Sequence, residues 1–386
     1  MKNLQTAVFF QPYSRYIFRM VQKAENLTFS RNVCFLSFLF IQPTMQYTQS
    51  QLLEKVSAAI EQMVCNPQPD GLYAPIRYAL SLGGKRIRPV LMLHAYNIYK
   101  EDVDRIMSCA IALETYHNFT LLHDDVMDRA EVRRGRPCVH KVWDENTAIL
   151  SGDAMLILAY RLLTEGRTAD AEPSLLADAV GESDAVGRAR ALQTFTLATL
   201  GVCEGQQYDV EFERRDDVSE AEYMEMIRLK TSLLLACALK MGAELAGAPA
   251  ADAEHLYEFG EKMGLAFQLQ DDLLDVYGDP AVFGKKIGGD ILCNKKTFML
   301  INVLQLANEQ QRAVLTRWLL QTDFDAEEKI RAVREIYDAV NIRQMCEQKI
   351  EQLFAESLRA LRAVDVPSER LQPLVDFAYR LMGRQS

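Results

Sequence analysis

The sequence predicts an all-α protein, and three observations carry that expectation. Glycine and proline together make up about 8% of the 386 residues, against a usual share of roughly 12%. The twelve prolines are clustered, with none between Val90 and Arg136, between Ser174 and Ala248, or between Ala281 and Val366. Stretches that long without a breaker suit helices and leave too few turns for a β-sandwich. Apolar residues then recur at spacings of three and four along most of the chain, the periodicity of one helix face.

The first 44 residues stand apart. They carry Lys2, Arg15, Arg19, Lys23 and Arg31 against the single acid Glu25, hold many aromatic residues, and end in a short apolar run over 33–41. The charges precede that run by too many residues for a secretory signal, no A-x-A-like site follows, and Ser and Arg are too sparse for a transit peptide. Met45 opens a polar lead into an amphipathic helix. The expectation is therefore that Met45 is the start, that 1–44 is an atypical extension outside the native fold, and that 45–386 is one functional domain.

Helical periodicity begins with Leu52, Val56, Ile60 and Met63. It continues over 90–116, 148–163, 192–212, 223–245, 253–277 and 298–320, and again through 330–377. The main interruption, 164–188, is rich in Ala, Asp, Gly, Glu and Ser and reads as a solvated loop or a poorly packed hairpin. Neither a domain linker nor a fixed internal repeat is visible. A single bundle of roughly ten or more helices follows.

Composition narrows the function. A formal net charge of −10 argues against a nucleic-acid partner, which calls for a basic face. The eight cysteines are dispersed without a C-x-x-C pair, which points to reduced, mostly buried thiols in a cytoplasmic protein and to neither a disulfide framework nor a zinc site. Uninterrupted apolar runs fall short of the roughly 20 residues that span a bilayer, so no transmembrane segment is expected.

Two acidic motifs stand out, each D-D-x-x-D at the polar end of an apolar helical segment: Asp124, Asp125 and Asp128, then Asp271, Asp272 and Asp275. On a helix the first and last aspartates share a face one turn apart, where like charges repel. A hard divalent cation removes that repulsion, because Mg²⁺ takes carboxylate oxygens and completes its octahedron with substrate phosphates. Basic groups surround them. The turn Gly83-Gly84-Lys85-Arg86-Ile87-Arg88-Pro89 combines close backbone approach with three cations suited to a diphosphate. Arg133-Arg134-Gly135 follows the first cluster. Lys230-Thr231 precedes a Leu- and Ala-rich helix, and Gly284-Lys285-Lys286-Ile287-Gly288-Gly289-Asp290 leads from the second cluster to Lys295. Gly205-Gln206-Gln207-Tyr208-Asp209 adds another carboxylate.

These motifs, in this order, resemble the trans-prenyltransferases, the polyprenyl diphosphate synthases that include farnesyl and geranylgeranyl diphosphate synthases. The resemblance runs from about Leu52 to the C-terminus. It takes in G-G-K-x-x-R-P, D-D-x-x-D with R-R-G, G-D at Gly152-Asp153, G-Q-x-x-D, K-T, and F-Q-x-x-D-D-x-x-D at 267–275. It implies the isoprenoid synthase type of helical bundle, built around a deep central cavity, with 45–386 as the polyprenyl synthase catalytic domain.

The resemblance also implies roles. Asp124, Asp128 and Asp271, helped by Asp209, would bind Mg²⁺ as a three-ion cluster on the allylic diphosphate, with Mn²⁺ as a substitute. Asp125, Asp272 and Asp275 would support them, and Gln206 would assist. Arg133, Lys230 and either Lys285 or Lys286 would contact that diphosphate, with Thr231, Gln268 and Lys295 beside them. Isopentenyl diphosphate would occupy a metal-free basic site made by Lys85, Arg88, His117 and Arg134. Phe119 and Thr120, five and four residues before Asp124, would set product length. Phe119 reads as a floor that stops elongation, and Thr120 in place of a second aromatic leaves C15 and C20 open. A homodimer is implied as well. The alternatives are a class I terpene cyclase, which would lack the second aspartate cluster, and a non-catalytic synthase subunit, which would have lost aspartates that are all present here.

Overall fold

The computed structural model describes residues 46–63, 68–165, 182–279 and 287–383. All of these belong to the unit Gln46–Ser386. The expectations for residues 1–44, for Met45 as a start, and for Lys285 and Lys286 lie outside the described residues, as does most of 164–188.

The described chain is almost wholly helical, and its helices begin where sequence chemistry says they should. Helix α1 (Gln49–Glu61) starts with a capping box, in which Thr48 and Gln51 satisfy each other's backbone N–H groups. It buries Leu52, Val56 and Ile60, the periodic set read from sequence. Helices α2 (Asp70–Ser81), α3 (Ile87–Asn97) and α4 (Met107–Met127) follow, then a hairpin of β1 (Val132–Arg133) and β2 (Arg136–Pro137), the short α5 (Val139–Val142), and α6 (Glu145–Glu165). Helix α7 (Glu182–Phe212) leads to α8 (Glu220–Ile227), which Ser219 and Glu222 cap reciprocally. A π-turn (Arg228–Ser232) joins α8 to α9 (Leu233–Ala246). Then come α10 (Ala250–Tyr277), α11 (Gly289–Leu292), α12 (Phe298–Leu306), α13 (Glu309–Leu320), α14 (Ala326–Ala339), α15 (Ile342–Arg362) and α16 (Ser368–Met382).

Helix α9 is the axis of the bundle. It packs on α3, α7 and α10, and nearly every one of its residues is buried. That all-round burial explains an apolar sequence with no polar face. In the π-turn at the start of α9, Lys230 meets Asp124 of α4 and Asp209 of α7, and Thr231 meets Gln268 of α10, so that the polar motifs of these helices come together.

The structure corrects the sequence reading in several places. The periodic stretch 90–116 is two helices with a break over 98–106, and 298–320 is likewise divided at Ala307 and Asn308. Asn308 is the reason for the second break, since its side chain caps α13 in a reciprocal pair with Gln311. Residues 182–188, read as loop, are the first turns of α7. Helix α6 contains a segment, Glu145–Thr164, long and apolar enough by composition to cross a membrane, where none was expected. In the fold it is a bundle helix packed along α4.

Candidate active site

The glycine-rich turn before α3 is built around a buried ion pair. Arg86 adopts the left-handed region (φ 45°), which turns its guanidinium inward to Glu114 at 2.6 Å and to the Leu80 carbonyl at 2.7 Å. Both partners are buried. Arg86, one of the three cations read as suited to diphosphate, is thus committed to an ion pair, although it lines the same cavity as Lys85 and Arg88. Gly84 (φ 131°) lies against the Arg134 guanidinium, which a Cβ there would meet at 2.7 Å. Arg134 itself donates to the Gly83 carbonyl. It is presented by the β1–β2 hairpin, whose central residues Arg134 and Gly135 both have positive φ, as a two-residue type I′ turn requires.

Lys85, Arg88, His117 and Arg134 line one cavity of about 510 Å³, together with Glu114, Phe267, Gln270, Asp271 and Leu274. Arg88 lies 2.9 Å from His117 Nε2. An arginine can only donate, so His117 accepts there and carries its proton on Nδ1. Burial, reinforced by Arg88, Arg134, Arg133 and Arg86, pushes the His117 pKa well below its ordinary value, so the ring is neutral. Burial also lowers the Arg88 pKa, to about 10. The cavity therefore keeps an excess of positive charge, Lys85, Arg88 and Arg134 against Asp271 once Arg86 has neutralised Glu114, a suitable receptor for a di-anion.

The first aspartate cluster sits at the C-terminal end of α4. Asp125 is buried and takes two donors from Arg133, Nε at 2.9 Å and Nη2 at 2.6 Å. Asp124 lies 3.4 Å from Lys230 Nζ and 3.9 Å from Arg133. Lys230 also meets Asp209 of α7 at 2.6 Å. Burial opposes the charge on Lys230, but Asp209 and Asp124 outweigh it and raise its pKa. Asp128 has its pKa raised by burial and by Asp124. Gln206 reaches the Met127 sulfur at 3.8 Å.

The π-turn explains how Lys230 arrives there. A π-turn inserts one residue into a helix and re-aims its side chains. Gly205 of α7 lies directly under the Lys230 backbone, where a Cβ would collide. Thr231 in the same turn donates to Gln268 at 3.0 Å, and Gln268 donates to Asp272 at 3.0 Å.

The second cluster, near the C-terminal end of α10, is held differently. Asp272 is buried and accepts from the Tyr223 hydroxyl as well as from Gln268. Burial pushes its pKa up to about 7 even though Lys295 works against the shift. Asp275 accepts the Asp290 backbone N–H at 2.9 Å, which anchors α11. Asp271 lines the basic cavity. Lys295 lies 3.7 Å from Asp290. Burial resists its charge, yet Asp290, Asp272, Asp209 and Asp275 together raise its pKa. Lys230 is thus ion-paired within the first cluster, while Lys295 stands beside the second, where Asp209 helps to raise its pKa.

Among the described residues no three metal-binding side chains converge on a preformed metal position. The donor chemistry nonetheless fits Mg²⁺, which is held through one or two carboxylates and substrate phosphates instead of an all-protein cage. Phe119 is nearly buried, with Tyr116 at 5.4 Å and His123 at 4.8 Å between ring centroids. Phe195 and Tyr160 extend that aromatic row. Thr120 donates to the His117 carbonyl at 2.8 Å.

Sequence reasoning missed Glu114, Tyr223 and His123. The last sits over Gly152, which leaves room for its ring, and bonds the Ile149 carbonyl at 3.0 Å. The E-x-x-H spacing of Glu114 and His117 on one face of α4 was the available signal for the first of these.

Fold and site together define a class, an all-α enzyme of the isoprenoid synthase fold with two carboxylate clusters beside a basic cavity. Residues 69–337 match the family model described as polyprenyl synthetase, and the chain belongs to that family. It is 38% identical over 250 residues to a geranylgeranyl diphosphate synthase of Methanosarcina mazei, covering 65% of this chain and 72% of that protein. A crystal structure of a geranylgeranyl pyrophosphate synthase shares 40% identity and a TM-score of 0.79 over 88% of this chain and 100% of that one. The polyprenyl synthase of Caulobacter crescentus CB15, solved in complex with calcium and isoprenyl diphosphate, shares 26% identity and a TM-score of 0.70, over 95% of this chain and 98% of that one.

Proposed function

We infer that this chain is a short-chain trans-prenyl diphosphate synthase, which condenses isopentenyl diphosphate with an allylic diphosphate to lengthen it by five carbons. The observation that carries the reading is the pairing of two aspartate clusters with an adjoining cation-lined cavity, which Asp271 borders. A terpene cyclase, having a single diphosphate to bind, has no use for that second anion site.

Asp124, Asp128 and Asp271, with Asp209, are the residues to hold Mg²⁺. When bound, Mg²⁺ supplies Lewis-acid stabilisation of the charge that grows on the departing diphosphate. Lys230, Arg133 and Lys295, with Lys285 or Lys286, hold the same diphosphate, so that the allylic C–O bond ionises against preorganised positive charge. Lys85, Arg88 and Arg134 fix isopentenyl diphosphate, and neutral His117 offers its Nδ1 proton. Its double bond attacks the allylic carbon, forming the new C–C bond, and positioning supplies much of the rate. The resulting cation loses a proton to the released diphosphate. Apolar helix interiors keep water from the cation.

Phe119 sets the length of the product. Phe119→Ala lengthens it by one or more isoprene units, and an unchanged product on mass analysis refutes the assignment. The protein acts as a homodimer. Exposed apolar side chains on α6 (Ile149, Leu150, Ile157) and α7 (Leu197, Leu200) form the face a second copy covers. Light scattering of the wild type against Leu197→Glu tests this.

Incubation with isopentenyl diphosphate and C5, C10 or C15 allylic diphosphates, with and without Mg²⁺, tests the function. Metal-dependent chain extension is expected. Consumption of the allylic substrate without isopentenyl diphosphate would instead make the protein a cyclase.

A further inference from the structure

Beyond the two clusters and the basic cavity, one charged group is fully buried with no part in the reaction described so far. Lys329 of α14 has no exposed surface. Its Nζ donates to the Asn294 side-chain oxygen at 2.7 Å and to the Leu292 carbonyl at 3.3 Å, and lies 4.2 Å from the Phe324 ring centroid. Among the described residues its partners are a carbonyl, an amide and a ring, with no carboxylate. Burial lowers its pKa. An ammonium withdrawn from water without a counter-ion is costly, and an apolar side chain of similar length would pack at least as well.

What the ammonium grips gives it a purpose. Leu292 is the last residue of α11, and Asn294 is a left-handed residue (φ 55°) that turns the chain immediately before Lys295. Asn294 is fastened a second time, donating its amide to the Leu319 carbonyl at 3.0 Å. The other end of this segment is fastened by the second aspartate cluster. Gly288 donates to the Asp275 carbonyl at 2.6 Å and Asp290 to the Asp275 carboxylate at 2.9 Å. Ile330, next to Lys329, packs against Gly288. The short segment bearing Lys295 is therefore clamped between α10 and α14. The α14 jaw closes on the two positions that decide where Lys295 points.

We propose that Lys329 is a positioning residue for diphosphate binding, acting through the Asn294 turn to hold Lys295 in the field of the aspartate clusters. This rests on the synthase reading above. With the full chain, Lys329→Met raises KM for the allylic diphosphate about tenfold while kcat changes by less than about threefold. The melting temperature does not fall, and KM for isopentenyl diphosphate is unmoved. Lys295→Ala raises the allylic KM on its own. Adding Lys329→Met to it changes KM by less than about twofold, because both act through one contact. An unchanged allylic KM in Lys329→Met, or effects that multiply fully in the double variant, would overturn the proposal. Should Lys329→Met fail to fold, Asn294→Gly keeps the positive φ and removes the accepting amide. It is expected to raise the same KM by about threefold or more, and no change overturns the proposal equally. If the wild type shows no condensation at all, the synthase reading is what fails. Calorimetric affinity for inorganic diphosphate, weaker in Lys329→Met than in wild type, then tests the clamp by itself, and equal affinities overturn it.

Discussion

The two D-D-x-x-D motifs read alike in sequence but are organised by different physics. At the end of α4 the middle aspartate, Asp125, is neutralised by a cation, with Arg133 gripping it through two N–H groups. At the end of α10 the corresponding Asp272 is held by neutral donors, Tyr223 and Gln268, and burial leaves its pKa near 7. The third aspartates differ too. Asp128 stays among the carboxylates of the first cluster, whereas Asp275 is used to anchor the backbone of the Lys295 segment. A repeated motif thus does not imply a repeated role. In both clusters the middle residue is consumed in holding the site together, and the function proposed above assigns the leading residue, Asp124 or Asp271, to the metal-bound diphosphate.

That contrast can be broken at several strengths. The largest effect belongs to the leading residues. Asp124→Ala and Asp271→Ala should each lower kcat/KM by roughly 10²–10³ or more in steady-state assays. A mild effect in one alone would mean that only one cluster serves the reaction. Next come the middle residues, read as stability in chemical denaturation. Tyr223→Phe strips a donor from a fully buried carboxylate and should cost about 1–3 kcal/mol. Asp125→Asn should cost about 1 kcal/mol, because Arg133 remains partly exposed and water can replace part of the interaction. Costs in the reverse order would undo the distinction. A further effect is a pH dependence of the cation-rich cavity. His117 is neutral in the fold and ordinarily titrates near 6.5, so below that pH the unfolded chain binds a proton that the folded chain refuses. The His117 contribution to stability therefore falls as pH drops from about 7 to 5, opposed by Asp272, which takes up a proton in the fold over the same window. His117→Gln should change the pH dependence by about one proton, leaving the opposed shares of His94, whose pKa burial lowers to about 4, and Asp272. An identical slope in wild type and variant would show that His117 is charged in the fold.

Much of this is legible in the sequence. Helices, the two clusters and the basic turn all rest on short-range signals: apolar period, i to i+4 spacing, and adjacent glycines and cations. What escaped depends on partners far apart in the chain. Arg86 looks like its neighbours Lys85 and Arg88, and only Glu114, across the turn on α4, sends it inward. Tyr223 is an ordinary periodic core residue until its hydroxyl meets Asp272. The π-turn at Lys230 leaves the apolar pattern of 223–245 intact, so no break was visible there. Where one periodic stretch spans two helices, apolar residues resume beyond a short polar break, Lys100-Glu101-Asp102 in the first case and Asn308-Glu309 in the second; Asn308 caps α13, whereas no side chain caps α4.

On the function proposed above, both clusters, despite their different construction, grip one and the same diphosphate. A non-ionisable allylic diphosphate analogue, titrated calorimetrically in the presence of Mg²⁺ into wild type, Asp124→Ala, Asp271→Ala and the double variant, tests it directly. Each single substitution should weaken binding by roughly 30-fold or more, and the double should lose little beyond the larger single effect, because both residues act on one ligand as a coupled unit. Full affinity in Asp271→Ala, or losses that multiply independently, would contradict a shared diphosphate.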